Sequence, residues 1–156
     1  MMHDRRLHTR FPTLSVIKSI DISCPGLNLQ TSIPAIMFDL SAGGIALITF
    51  CPFPIHSQVT LNLELGTFKL KNVEGEVVRT KEKKQTYLVA IQFTNLAKEQ
   101  KAFIAAMAEN YAACETRILH REEKVCFPKT CSYYQLCSKP ERIRMLKSVR
   151  RLVHAH

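Results

Sequence analysis

The sequence predicts a mainly β domain, an antiparallel barrel or sandwich, followed by one helix and by a cysteine-rich basic extension that ends in a second helix. Three observations predict it. Six strand-like runs lie between residues 14 and 93 with no helical period between them. Their connections are short, which favours antiparallel pairing. From Ala97 onward the apolar residues change to helical spacing.

Taken in order, the first ten residues read as a charged arm. Leu14 to Ile22 carries β-branched Val16, Ile17 and Ile20 and reads as a strand, and Pro25-Gly26 ends it in a turn. Ile33 to Leu40 is apolar, and Pro34 near its start suggests an edge. Ala42-Gly43-Gly44 breaks that run, and Ile45 to Phe50 resumes it. After a proline-containing loop, Val59, Leu61, Leu63 and Leu65 alternate with polar residues as in a half-buried strand. Gly66-Thr67 is a hairpin-like connection to Phe68–Arg79, where Phe68, Leu70, Val73 and Val77 are apolar. Thr80 to Gln85 is polar and reads as a loop, and Tyr87, Val89, Ile91 and Phe93 share one face of a last strand. Val59, Leu61, Leu63, Val77, Val89, Ile91 and Phe93 are the expected core of a closed barrel, capped by a helix on which Phe103, Met107, Tyr111 and Cys114 form a stripe.

Hydrophobic residues make up 46% of the 156, enough for one domain with a core. The longest mostly apolar stretch, Gly44 to Ile55, contains Pro52 and Pro54 and is too short for a membrane helix, which takes about 20 apolar residues. No apolar segment follows the charged start as in a secretory signal, so a cytoplasmic location is expected. The net charge of +9 is uneven: residues 117–156 hold ten Lys/Arg against three Glu, a net of +7. Such a surface attracts phosphates, acidic proteins or membranes.

Two short patterns carry the functional signal. Arg5-Arg6-Leu7-His8-Thr9-Arg10 contains Arg6-x-x-x-Arg10 before the first strand, and Asp39-Leu40-Ser41-Ala42-Gly43-Gly44 contains Asp-x-Ser-x-x-Gly between two strands. In this order and in an all-β setting they resemble the PilZ domain family, with its arginine arm and its Asp/Asn-x-Ser-x-x-Gly turn. Gly75-Glu76-Val77-Val78-Arg79 and Tyr87–Phe93 extend the resemblance over about residues 5–113, with Ala90 standing where many members have glycine. The resemblance implies a six-stranded antiparallel barrel followed by a helix over residues 1–113, with 114–156 as a Cys-rich basic tail. It also implies cyclic di-GMP as ligand: Arg6 and Arg10 fold over it, Asp39 and Ser41 read a guanine edge, Gly44 keeps the turn open, and Arg5 reaches a phosphate. The chemistry suits the residues. An arginine fork pairs with phosphate oxygens, matches guanine O6/N7 and stacks on bases, and a carboxylate accepts from guanine N–H groups. A bound dinucleotide would order the arm and change the surface shown to a protein partner, which describes a sensor or adaptor. No catalytic triad, Walker loop or paired catalytic carboxylates stands at a recognisable spacing, so no enzyme is expected. His8 reads as a spacer within the arginine motif.

Four of the six cysteines, Cys114, Cys126, Cys131 and Cys137, fall within 24 residues. In a cytosolic chain this crowding suggests metal ligands, either zinc or an iron–sulfur cluster, with His120 an alternative to Cys114. Cys114 also reads as the last apolar residue of its helical stripe. The second function to weigh is a degenerate PilZ scaffold whose metal-stapled basic tail, ending in an amphipathic helix with Ile143, Leu146, Val149 and Val153 on one stripe, binds nucleic acid, an acidic membrane surface or a protein.

Overall fold

The alternating runs form strands that close on themselves. The computed structural model describes residues 7–13 and 17–153. Its strands are β1 (Phe11–Pro12), β2 (Ile17–Cys24), β3 (Leu29–Ser41), β4 (Gly44–Thr49), β5 (Gln58–Leu65), β6 (Phe68–Lys83) and β7 (Thr86–Phe93). The helices are α1 (Lys98–Leu119) and α2 (Pro140–Val153), with 3-10 turns at Pro25–Leu27 and Tyr134–Leu136. The sheet order is β1-β3-β2-β5-β6-β7-β4, and β4 pairs back onto β3, so β2 to β7 make a closed six-stranded antiparallel barrel with β1 outside it on β3. Closure leaves the barrel strands without a free edge along their paired lengths.

The core is the inward half of each alternation. Val59, Leu61, Leu63, Val77, Val89 and Ile91 are buried as expected, while Phe93 is half-buried and packs against the cluster. On α1, Met107 and Cys114 are buried and Phe103 and Tyr111 pack against the core. Ile104, outside the expected stripe, is also buried, and Phe103 stacks on Phe68 with ring centroids 4.2 Å apart. The start of α1 is fixed by the Gln100 side chain accepting from the Ala97 N–H at 3.2 Å, with Glu99 in the first turn where the helix dipole favours an acid.

Three local readings change. β3 starts at Leu29, so Pro34 lies inside it; the proline falls where β3 pairs with β2 alone, before β4 joins at Ala35. One face of the ladder there needs no N–H. The polar run from Thr80 is strand up to Lys83, paired as far as Lys83↔Thr86, with the turn confined to Lys84 (φ 57°) and Gln85. Its polar residues stay solvated because both faces of this two-stranded extension are exposed or half-exposed. The helix after the barrel continues through residue 114 to Leu119. Leu14 and Val16 lie outside the described residues, as do the side chains of Ile143, Leu146, Val149 and Val153 on α2.

The segment between the helices joins the barrel core. Tyr133, Leu136 and Cys137 belong to the core cluster, and Tyr133 is 1% exposed. Its ring meets Phe11 edge-on at 5.3 Å and Tyr111 edge-on at 5.5 Å, and its hydroxyl donates to the Pro12 carbonyl at 2.6 Å. A sequence read as polar and basic thus carries one large aromatic plug.

Candidate ligand-binding site

Two bulges aim the site. Along β3 the buried positions run Ile33, Ala35, Met37 and then Leu40, a break in the period of two. It comes from a register shift against β4 between Met37 and Asp39, which leaves Phe38 exposed and without a partner on β4. Without that extra residue the alternation would turn Asp39 inward; with it, Phe38 and Asp39 both face out and Leu40 returns to the core. β6 repeats the device between Val77 and Arg79, so that Val78 and Arg79 both face out.

The turn after Asp39 is held by its own serine. Ser41 Oγ accepts the Gly43 N–H at 3.2 Å and lies 3.4 Å from the Gly44 carbonyl, while Ser41 itself is buried. The serine therefore shapes the Asp-x-Ser-x-x-Gly turn. Gly44 has a structural reason to be glycine: it pairs with Gln92 of β7, and a Cβ there would collide with the Ile91 backbone carbonyl. Gly75 is constrained in the same way, since a Cβ would stand 2.6 Å from an Ile91 methyl and 2.8 Å from the Gln92 carbonyl oxygen. Ala90, in place of the expected glycine, is buried and pairs with Ala46 on one side and Arg79 on the other.

These elements line one cleft of about 300 Å³. Arg10 enters from the arm, Asp39, Ser41, Gly43 and Gly44 from the β3–β4 turn, and Val78 and Gln92 from the neighbouring strands. Four of the expected ligand residues, Arg10, Asp39, Ser41 and Gly44, thus face a common space, while Arg5 and Arg6 lie outside the described residues. Leu7 and His8 also line the cleft, and a Cβ on Gly43 would meet the His8 ring at 2.7 Å. His8 is therefore a wall of the site rather than a spacer. Its only sequence signal was its place inside the arginine motif, and Val78 and Gln92 were legible only as strand residues, because strand pairing puts them at the cleft.

The cysteine-bearing segment lies elsewhere, against α1. Cys114 and Cys137 are buried and Cys126 and Cys131 half-buried, all as free thiols. Burial pushes the Cys126 thiol above its ordinary range, and Cys137, Cys114 and Cys131 push it further in that order. Cys137 is raised chiefly by burial, with Lys139 pulling the other way. Among the described residues no group of three or more His, Cys, Asp or Glu side chains is gathered as one metal ion requires. His120 caps the end of α1, its backbone N–H reaching the Thr116 and Ile118 carbonyls, and is exposed. No helix among the described residues is long and apolar enough to cross a membrane.

A closed barrel with Arg10 beside a bulged, serine-held turn defines a β domain with a candidate ligand cleft. The PilZ domain family model matches residues 4–110, and the chain belongs to that family. Solved structures of the same fold include the inhibitor of motility MotI/DgrA of Bacillus subtilis, at 15% identity and TM-score 0.54 over 78% of this chain and 55% of that one. The PilZ domain of YcgR from Escherichia coli with c-di-GMP matches at 14% identity and TM-score 0.52 over 76% of this chain and 99% of the domain. YcgR from Escherichia coli in complex with c-di-GMP matches at 14% identity and TM-score 0.50 over 77% and 51%. The chain therefore spans about half the length of MotI/DgrA and of the longer YcgR structure. A comparison with curated protein sequences finds no match.

Proposed function

We propose that this chain is a cytoplasmic sensor or adaptor that binds cyclic di-GMP between the arm and the β3–β4 turn. The observation that carries the reading is the convergence of Arg10, Asp39, Ser41 and Gly44 on one cleft. It is supported by the family and by two structures of the same fold solved with c-di-GMP. On this reading Arg6 and Arg10 clasp the phosphates and bases, with Arg5 on a phosphate. Asp39 accepts from a guanine edge, and the remaining lone pair of Ser41 accepts one further bond. Leu7, His8 and Val78 offer apolar and ring surface to the base faces. Binding fixes the arm and so alters the surface offered to a protein partner. The arrangement is one for recognition and not for catalysis. The nucleic-acid or membrane reading of the basic tail gains no support from the described residues.

Calorimetry with cyclic di-GMP tests the proposal. Loss of one charge-assisted arginine contact costs about 1.5–3 kcal/mol, so Arg6→Ala and Arg10→Ala should each weaken binding roughly ten- to a hundred-fold. Asp39→Asn, which replaces one acceptor oxygen by a donor, should weaken it as well. Unchanged affinity in the double variant Arg6→Ala, Arg10→Ala would overturn the assignment.

A further inference from the structure

The stretch from Arg121 to Lys139 contains no regular element beyond the 3-10 turn at Tyr134–Leu136. A long irregular segment in a compact domain needs a source of order besides burial. Here three side-chain tethers run between α1 and this segment. Asn110 Nδ2 donates to Ser132 Oγ at 3.0 Å, beside Cys131. Arg117 Nε donates to the Val125 carbonyl at 3.0 Å, beside Cys126. Lys139 Nζ donates to the Tyr111 carbonyl at 2.8 Å and pairs with Glu115 at 3.1 Å, two residues beyond Cys137. The α1 ends of these tethers lie within one turn of Cys114, on either side of it. Each cysteine of the segment is thus carried to the same stretch of helix as the fourth.

The surroundings are cationic. Lys139 is 6% exposed, and its backbone N–H points at Cys137 Sγ at 3.4 Å. Arg142 Nη1 donates to the Cys137 carbonyl at 2.7 Å, while its buried Nε has no hydrogen-bond acceptor among the described residues. Lys139, already paired with Glu115, and the orphaned guanidinium N–H of Arg142 adjoin Cys137, next to a Glu141 Oε2 that is also buried without a partner among the described residues, and the two cations suit an anionic, sulfur-rich occupant. Thiols alone give neither charge nor strong acceptors at neutral pH.

We propose that Cys114, Cys126, Cys131 and Cys137 ligate one iron–sulfur cluster that staples the tail to α1. A single zinc ion draws four sulfurs onto one tetrahedral point, and the thiols are not gathered in that way. A cluster brings its own sulfide core, which stands between the four thiolates and lets them approach from separate directions. Ligation releases the four thiol protons, and the resulting negative charge faces Lys139 and Arg142. The N–H of Lys139 and the Nε of Arg142 then have sulfur acceptors, a kind of contact that tunes such centres. The site shares no residue with the cyclic di-GMP cleft, so either proposal can fail without the other.

The test is anaerobic purification of the full chain, reconstitution with ferrous iron and sulfide, and analysis of iron, acid-labile sulfide and zinc together with visible absorption. The expected result is a brown protein with stoichiometric iron and sulfide, whose visible bands bleach on reduction. Cys126→Ser and Cys131→Ser, chosen because these two cysteines are only half-buried, should lose the colour while the far-ultraviolet dichroism of the barrel persists. Cys51→Ser, at an exposed cysteine, should keep the colour. Stoichiometric zinc without iron, a colourless reconstituted protein, or equal iron in the Cys126→Ser, Cys131→Ser double variant would each overturn the proposal.

Discussion

Tyr133 is the sharpest place to perturb the junction between barrel and tail. Tyr133→Phe removes one hydroxyl that donates to the Pro12 carbonyl at 2.6 Å. Because Pro12 is exposed, water can take up much of the lost bond. The cost should therefore sit in the range of an ordinary neutral hydrogen bond, about 0.5–1.5 kcal/mol, below that of a fully orphaned buried acceptor. Tyr133→Ala is a different experiment. It empties a site that is 1% exposed and deletes both edge-on contacts, to Phe11 and to Tyr111. Aromatic-to-alanine changes in cores cost about 3–5 kcal/mol, a large part of the ~5–15 kcal/mol that holds a domain together. Urea unfolding of the reduced, ligand-free protein, followed by far-ultraviolet dichroism, measures both. A loss below about 1 kcal/mol for Tyr133→Ala would refute the packing argument, since no well-filled core site tolerates that deletion so cheaply. Native-state hydrogen exchange gives an independent check: in Tyr133→Ala the amides paired between β1 and β3 should lose protection before those between β6 and β7.

Other positions make separable predictions. Gly44→Ala should lower the melting temperature, at a cost of about 1–3 kcal/mol from overpacking against the Ile91 carbonyl; an unchanged melt would show that the strand has room there. Leu61→Ala, at a fully buried position of β5, should cost about 2–5 kcal/mol in the same assay. Glu76 is held below the ordinary carboxylate range, chiefly by its hydrogen bond with His56 at 2.9 Å, which outweighs the opposing effect of burial, and to a lesser degree by Gln58. Its contribution to stability is therefore present above the usual glutamate pKa of about 4.3 and fades as pH falls through the lower folded value. In His56→Ala, carbon-13 NMR should find Glu76 titrating closer to that usual value, and an unmoved titration would remove His56 as the cause. In the reduced, metal-free protein, iodoacetamide should modify exposed Cys51 well before buried Cys137, whose thiol is pushed up by burial; peptide mapping that finds equal rates would contradict that burial.

The barrel was legible because its strands alternate cleanly. Val59 to Leu65 and Tyr87 to Phe93 show their inner faces without any neighbour being known. The two bulges were not legible, because a bulge is a mismatch between partners, and Phe38 and Val78 look like ordinary strand residues until β4 and β7 are laid beside them. That limit bears directly on the site. The motif named Asp39, but only the bulge explains why an aspartate one residue from buried Leu40 faces the cleft. Gly44 was read as keeping a turn open, whereas close approach of β7 requires it; the residue type was readable and the cause was not. The tail misled through its charge. Counting Lys and Arg hid Tyr133, and it hid Lys139, whose aliphatic stem and ammonium are buried against the Tyr111 ring at 4.1 Å.

The reach of Tyr133 to Phe11 and Pro12 also bears on where the domain can be cut. The family match ends at residue 110, and a chain trimmed there would look complete by homology. It would nevertheless lose the ring that seals Phe11 and the hydroxyl that pins Pro12, the two residues directly after Arg10. The anchor of the arginine arm would then be a two-residue strand held on β3 alone. On the proposed reading, ligand binding would then have to immobilise that root as well, an entropic charge the longer chain has already met during folding. A trimmed domain should therefore bind its nucleotide more weakly than the whole chain with no contact residue altered, and a deficit measured on it would reflect the missing tail and not the cleft.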